Sequence, residues 1–288
     1  IMALCLALAA NMLEMLHTKD DLLPGAVLYF RIYALGMPAL GIFNFGNAVL
    51  SANGDTKRPL VYLTIAGVLN VILNLFFVIV CKMAADGVAL ASVISQYVSA
   101  ILVVWHMMRL NDACKFRFRE LRFHGDEVGR ILGLGVPAGI QHMIFAIANL
   151  FIQAAVNSFD STMVSGNAAA ANTDTIIYNI MMAFYTACST FMGQNWGAGH
   201  KKRMMDSYLI SLFYAFAVAA VLGVAFSFAG RPFLYVFTNS ADVVEAGMQR
   251  MKIMCFSYAI SAFMDNTIAA CRGLGRTIVP TVVVIMGS

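Results

Sequence analysis

Charge is scarce in this sequence. Asp, Glu, Lys and Arg make up 12% of its 288 residues, too few to clothe a soluble domain whose shell must meet water. Proline is also sparse, with six in the chain, and low-complexity tracts are missing, which excludes a linker-rich or disordered protein. The cysteines, Cys5, Cys81, Cys114, Cys188, Cys255 and Cys271, are scattered mostly through apolar runs without CxxC spacing; they point to neither a metal centre nor a disulfide framework. No HExxH or GxSxG motif occurs, and His17, His106, His124, His142 and His200 each fall in a different span or loop. A catalytic centre needs clustered acid–base or nucleophilic groups, so an enzyme is not expected, and no cofactor is implied. The net charge of +4 does not suggest nucleic acid, and its distribution has a better explanation.

What is abundant is apolar surface, at 60% of residues, which a bilayer accepts. Seven apolar runs, at about 23–52, 58–82, 85–109, 131–158, 167–194, 206–230 and 241–271, are each long enough to cross roughly 30 Å of hydrocarbon. They are too long and continuous for barrel strands, so they predict helices. The reading is an all-α, polytopic integral membrane protein. Ile1 to Leu16 is apolar from its first residue and lacks the charged flank of a signal peptide; it reads as the back half of a span. Thr277 to Ser288 opens another apolar run and stops after about three helical turns. Both ends are therefore expected to be cut, and a chain so shortened is not expected to transport by itself.

Basic residues alternate along the chain. Lys57 and Arg58, then Arg109 through Arg130, then Lys201, Lys202 and Arg203, then Arg272 and Arg276 fill every second connection. By the positive-inside rule, loops 53–58, 110–130, 196–205 and 272–277 are expected to be cytoplasmic, in a multi-pass protein of the plasma membrane. The longest connection carries KFRFRELRF, whose mixture of charges and aromatics suits an interfacial amphipathic stretch.

A shift of 221 residues superimposes helix 29–53 and its exit on helix 250–274 and its exit. It pairs Ile32 with Ile253, Ala48 with Ala269, Gly54 with Gly275, Thr56 with Thr277, Pro59 with Pro280 and Val61 with Val282. Each copy places Gly after the helix, where a C-cap wants positive φ, and Pro at the start of the next. Both exits are cytoplasmic, so the repeat is parallel, and two such lobes suit alternating access. The domains read as an N-lobe at 1–110, a cytoplasmic linker at 111–130 and a C-lobe at 131–288.

Polar residues inside the spans are the candidate machinery. Asn70 and Asn74 are four apart, so their amides share a face; they can ligate a small cation or hydrogen-bond a neighbouring helix. Asp265 is a carboxyl at membrane depth, a functional candidate by default; it can carry a proton, or pair with Arg272 two turns on. Asp174 lies near a helix start, where a carboxylate is favoured. Tyr178 and Asn179 follow it and can line the same cavity. Gln141, Asn149, Gln153 and Asn157 make a stripe at helical period, fit for lining a cavity or for packing against polar neighbours. The 19 methionines and 21 phenylalanines suit either adaptable binding of apolar ligands or ordinary membrane packing.

With LSANGDTKRP, LNVILN leading into GVALASVISQ, GVPAGIQ, GQNWGAGHKKRM and CRGLGRTIVP in order along the chain, the sequence resembles the multidrug and toxic compound extrusion (MATE) family over essentially its whole length. The resemblance implies two pseudo-symmetric helix bundles that export cationic, amphipathic drugs in exchange for H⁺ or Na⁺ by alternating access. It implies a piece running from the third helix into the eleventh, without the first two helices and the last. The partners it implies are small organic cations and the lipid bilayer, with no nucleic acid and no obligate protein partner. Asn70 and Asn74 fall where the family places the polar cation pair of its fifth helix, whose second member is often Asp, and Ser92 falls near a hydroxyl used on the next helix. The C-lobe departs from one branch: its membrane glutamate falls at Phe145 and its aspartate at Ser261, one turn from Asp265. An alternative from the wider superfamily is a flippase for a lipid-linked saccharide, which would favour an Arg- and Lys-rich cavity.

Overall fold

The computed structural model describes residues 2–15, 23–110 and 114–287, and no strand occurs among them. Ten α-helices account for nearly all of these residues: α1 Met2–Met15, α2 Leu23–Ala34, α3 Met37–Ala52, α4 Lys57–Leu75, α5 Ala85–Arg109, α6 Gly125–Val156, α7 Ser161–Gly197, α8 Lys201–Leu234, α9 Ala241–Gly273 and α10 Ile278–Gly287. Seven segments are long and apolar enough to cross a membrane, α2 with α3 counting as one. The protein is an all-helical, multi-pass membrane protein. Hydrocarbon offers no partner to backbone N–H and C=O groups, and a helix satisfies them internally. Several helices outrun their apolar stretches: α6 begins at Gly125 rather than 131, and α7 runs for 37 residues, about 55 Å. Asp160 starts α7 by accepting the Met163 N–H at 2.9 Å, an ordinary N-cap.

The span expected to be continuous over 23–52 is broken. Leu35 and Gly36 form a turn between α2 and α3. Pro38 stands in the first turn of α3, where it has no N–H to return to the Ala34 carbonyl four residues earlier. The Tyr97 hydroxyl of α5 donates to the Leu35 carbonyl at 3.1 Å, supplying the loosened end. Gln96 crowds Gly36 so closely that a Cβ there would collide with its side-chain oxygen. The matching stretch of α9 has no proline and stays continuous.

The chain forms two compact units, Ile1–Arg122 and Phe123–Ser288. In the first, Ala39, Phe43 and Leu50 of α3 pack on Ala100 and Val103 of α5, with Gly46 letting the two helices close against the Val103 side chain. In the second, α9 is the central element, and small residues let its neighbours approach, as membrane helices require when lipid supplies no hydrophobic drive. Near one end of the α7–α9 contact, a Cβ on Gly166 would stand 2.8 Å from the Gly247 nitrogen; near the other, Gly193 and Gly273 face each other. Gly223 gives α8 the same access to the Cys255 carbonyl.

The internal repeat is visible in the backbone. Gly54 has φ +89° and Gly275 φ +74°. After α3, the Gly54 N–H donates to Ser51 and Asp55 N–H reaches back to Leu50; after α9, Gly275 donates to Arg272 and Arg276 to Cys271. Both helices therefore end in the same Schellman closure, repeated once more at Gly199 after α7.

Proline also shapes α6. Pro137 lies inside it, so the Gly133 carbonyl, four residues earlier, loses its usual N–H partner. Thr277, just before α10, donates its hydroxyl to that carbonyl at 3.3 Å. The Thr281 hydroxyl donates to the Thr277 carbonyl at 2.8 Å and is shared with the Pro137 carbonyl at 3.3 Å. The two threonines are buried and tie α10 to the segment of α6 around Pro137.

Candidate functional site

In the first unit, α4 and α5 are antiparallel neighbours joined by a short connection in which Lys82 adopts φ +54°. Asn74 lies about two turns before the end of this hairpin arm and Ser92 about two turns into the next, so they come to similar depth. The Ser92 hydroxyl donates to the Val88 carbonyl at 3.0 Å and accepts from Asn70 Nδ2 at 3.4 Å; Asn70 Oδ1 accepts from Asn74 Nδ2 at 3.0 Å. Donation runs one way along this relay, from Asn74 to the α5 backbone. It leaves Asn74 Oδ1 at its head, buried and without a hydrogen-bond donor among the described residues. An unsatisfied buried acceptor costs about 1–3 kcal/mol. Side-chain carbonyls and a hydroxyl are hard oxygen ligands of the kind small cations prefer. The fit of this trio to a bare cation rests on that orphaned oxygen.

Beyond Asn74 the helix widens into a π-turn at Phe76–Val80, a distortion frequent beside functional positions.

The second unit gathers its polar groups in two places. Asp265 of α9 is half-buried. The hydroxyl of buried Tyr185 lies beside it without closing a hydrogen bond, and Tyr178 and Arg272 are near enough to interact with it electrostatically. Arg272 forms no ion pair with Asp265; instead its Nη2 donates to Gln141 Oε1 of α6 at 3.0 Å. The stripe on α6 consequently divides. Gln141 is 2% exposed and its carbonyl is taken by Arg272, whereas Asn149, Gln153 and Asn157 are exposed, with Gln153 donating to Asn157 at 2.8 Å. Asn179 is exposed on α7.

The other gathering was not expected. Arg250 of α9 pairs with Asp174 of α7 and also bonds the side chain and backbone carbonyl of Asn167, and the Tyr258 hydroxyl donates to the other Asp174 oxygen. Asp174 is thus not a lone end-of-helix carboxylate but the centre of a cross-helix network. The signal was present as spacing: Asn167 and Asp174 are seven apart on α7 and Arg250 and Tyr258 eight apart on α9, so each pair shares a face. No group of three or more His, Cys, Asp or Glu suited to a metal occurs among the described residues.

Helical spans, a repeated closure and polar clusters within the spans define the class as a polytopic α-helical membrane protein. The family model for MatE matches residues 1–76 and 137–288, and the chain belongs to the MatE family. It is 30% identical over 251 residues to the probable multidrug resistance protein YpnP of Bacillus subtilis (strain 168), covering 87% of this chain and 56% of that protein. It is 24% identical over 241 residues to the FAD transporter of Shewanella oneidensis, covering 81% of this chain and 52% of the relative. The chain therefore spans a little over half the length of these curated relatives. Among solved structures, a multidrug resistance MATE family transporter of the MOP superfamily in an outward-facing conformation superposes with a TM-score of 0.91 at 19% identity, over 99% of this chain and 64% of that one. A MOP superfamily transporter from Pyrococcus furiosus superposes with a TM-score of 0.92 at 18% identity, again over 99% of this chain and 64% of that one.

Proposed function

We propose that the protein exports cationic, amphipathic drugs across the plasma membrane in exchange for H⁺ or Na⁺, by alternating access, with its basic loops in the cytoplasm. The observation that carries this reading is the Asn74–Asn70–Ser92 relay with its orphaned Asn74 oxygen. The similarity to proteins named for multidrug resistance supports the choice of substrate class.

The chemistry separates the two coupling ions. Neutral amides hold no titratable proton at physiological pH. A metal cation entering between Asn70, Asn74 and Ser92 would draw the Asn74 carbonyl into its coordination shell and rotate the relay. Proton coupling would instead fall to Asp265, where a proton on the carboxyl changes its attraction to Arg272 and its contact with Tyr185. Either event alters hydrogen bonding between helices, α4 with α5 in one case and α7 with α9 in the other. Differential cation affinity of two such arrangements is what drives an exchanger.

The test is uptake of a fluorescent organic cation into inverted vesicles holding the full-length protein, under a pH gradient and a Na⁺ gradient imposed separately. Transport under one gradient names the ion. No transport under either gradient would overturn the drug-antiporter reading and favour the lipid-linked saccharide flippase.

A further inference from the structure

A cavity of about 630 Å³ opens where α7 ends and α8 begins, within the roughly 300–1,000 Å³ range of small-molecule sites. Its lining changes character along the helices. Phe191 and Ile210 form an apolar end on the side of the spans, and Asn195, His200, Arg203 and Asp206 form a polar end at the loop. Arg203 and Asp206 are three apart on α8, on one helical face. They nevertheless form no ion pair with each other or with any other described residue. One wall of the cavity thus offers a free cation and a free anion side by side, above an apolar floor.

We propose that this cavity binds the head group of a phosphatidylethanolamine, with the phosphodiester against Arg203, the ammonium against Asp206, and the glycerol end of the acyl chains against Phe191 and Ile210. The ligand must carry both signs within one head group. A phosphatidylglycerol brings the Asp206 carboxylate only neutral hydroxyls and no opposite charge. A choline head group carries its positive charge on a nitrogen without N–H, so it cannot donate to a carboxylate as a primary ammonium can. The apolar end favours a lipid over a soluble zwitterion. The neighbouring Lys201 and Lys202 are exposed and add positive potential for the phosphate, a contribution that alone would favour an anionic lipid.

Native mass spectrometry of the detergent-purified protein, given equimolar ethanolamine, choline and glycerol phospholipids of the same acyl chains, tests the assignment. The ethanolamine lipid is expected to be retained about threefold over each of the others, the scale of one partly exposed ion pair. Asp206→Asn, which keeps shape and removes charge, is expected to abolish that preference over the choline lipid, with elution and melting behaviour unchanged. Arg203→Gln is expected to weaken all three lipids. Strongest retention of the glycerol lipid would mean that the basic surface acts alone, and would overturn the proposal. So would an ethanolamine preference that survives Asp206→Asn, or displacement of the lipid by equimolar soluble phosphoethanolamine.

Discussion

The proline segment of α6 offers a sharp test of how the second unit is held together. Pro137 deprives the Gly133 carbonyl of its helical donor, and the Thr277 hydroxyl stands in for it at 3.3 Å. Thr277→Val keeps the shape and removes the donor. Interhelical hydrogen bonds in membranes average roughly 0.6 kcal/mol and reach about 1.7, and leaving a carbonyl of a spanning helix without a donor adds to the loss. The expected destabilisation is about 1–2 kcal/mol. The decisive comparison repeats the change in a Pro137→Ala background, where residue 137 regains an N–H aimed at Gly133. There Thr277→Val is expected to cost less than about 0.5 kcal/mol. The double-mutant cycle should then show a coupling of about 1 kcal/mol between residues on different elements. Reversible unfolding in mixed micelles, followed by far-UV circular dichroism, measures all four variants. Equal cost of Thr277→Val in both backgrounds would refute the idea that this hydroxyl repairs the proline gap.

Gly275→Ala forces a side chain into φ +74° and is expected to destabilise by about 1–2 kcal/mol, with Gly54→Ala costing about the same because its closure is the same; both are read in the same unfolding assay. Asp174→Asn or Arg250→Gln alone strands a charge within the spans and is expected to cost more than the double variant, by about 1–2 kcal/mol once partial exposure is allowed for. Single-cysteine variants in a cysteine-free background are expected to react with an impermeant maleimide from the cytoplasmic side at Arg119→Cys and from the opposite side at Thr238→Cys; the reverse pattern would invert the proposed orientation.

The spans were legible in the sequence because length and apolarity are the very conditions a bilayer imposes, and the boundaries read from them fall within a few residues of several helix ends. What composition does not encode is where a helix breaks or continues. Pro38 was visible, but that the chain turns at Leu35–Gly36 depends on Tyr97 and Gln96 of α5 standing there to accept it. The repeat was legible at its exits, since Gly54 and Gly275 are required by backbone conformation. Polar partners were the hardest to read. Asn70 and Asn74 are four apart on one helix, so their contact follows from periodicity, and the depth of Ser92 follows from the hairpin. Arg250 with Asp174, Arg272 with Gln141 and Thr277 with Gly133 join residues far apart in the chain, and only the packing of α6, α7, α9 and α10 brings them together. Asp265 and Arg272, two turns apart on α9, share a helix, yet the arginine turns to α6.

The most direct test of cation-coupled export is the Asn74→Ala variant in the vesicle assay, compared with Asp265→Asn under whichever gradient drives the unaltered protein. If Na⁺ drives transport, Asn74→Ala abolishes gradient-driven uptake at unchanged protein level while Asp265→Asn retains it; if H⁺ drives it, Asp265→Asn abolishes it while Asn74→Ala retains it. Na⁺-driven uptake that survives Asn74→Ala would contradict the account, as would H⁺-driven uptake that survives Asp265→Asn.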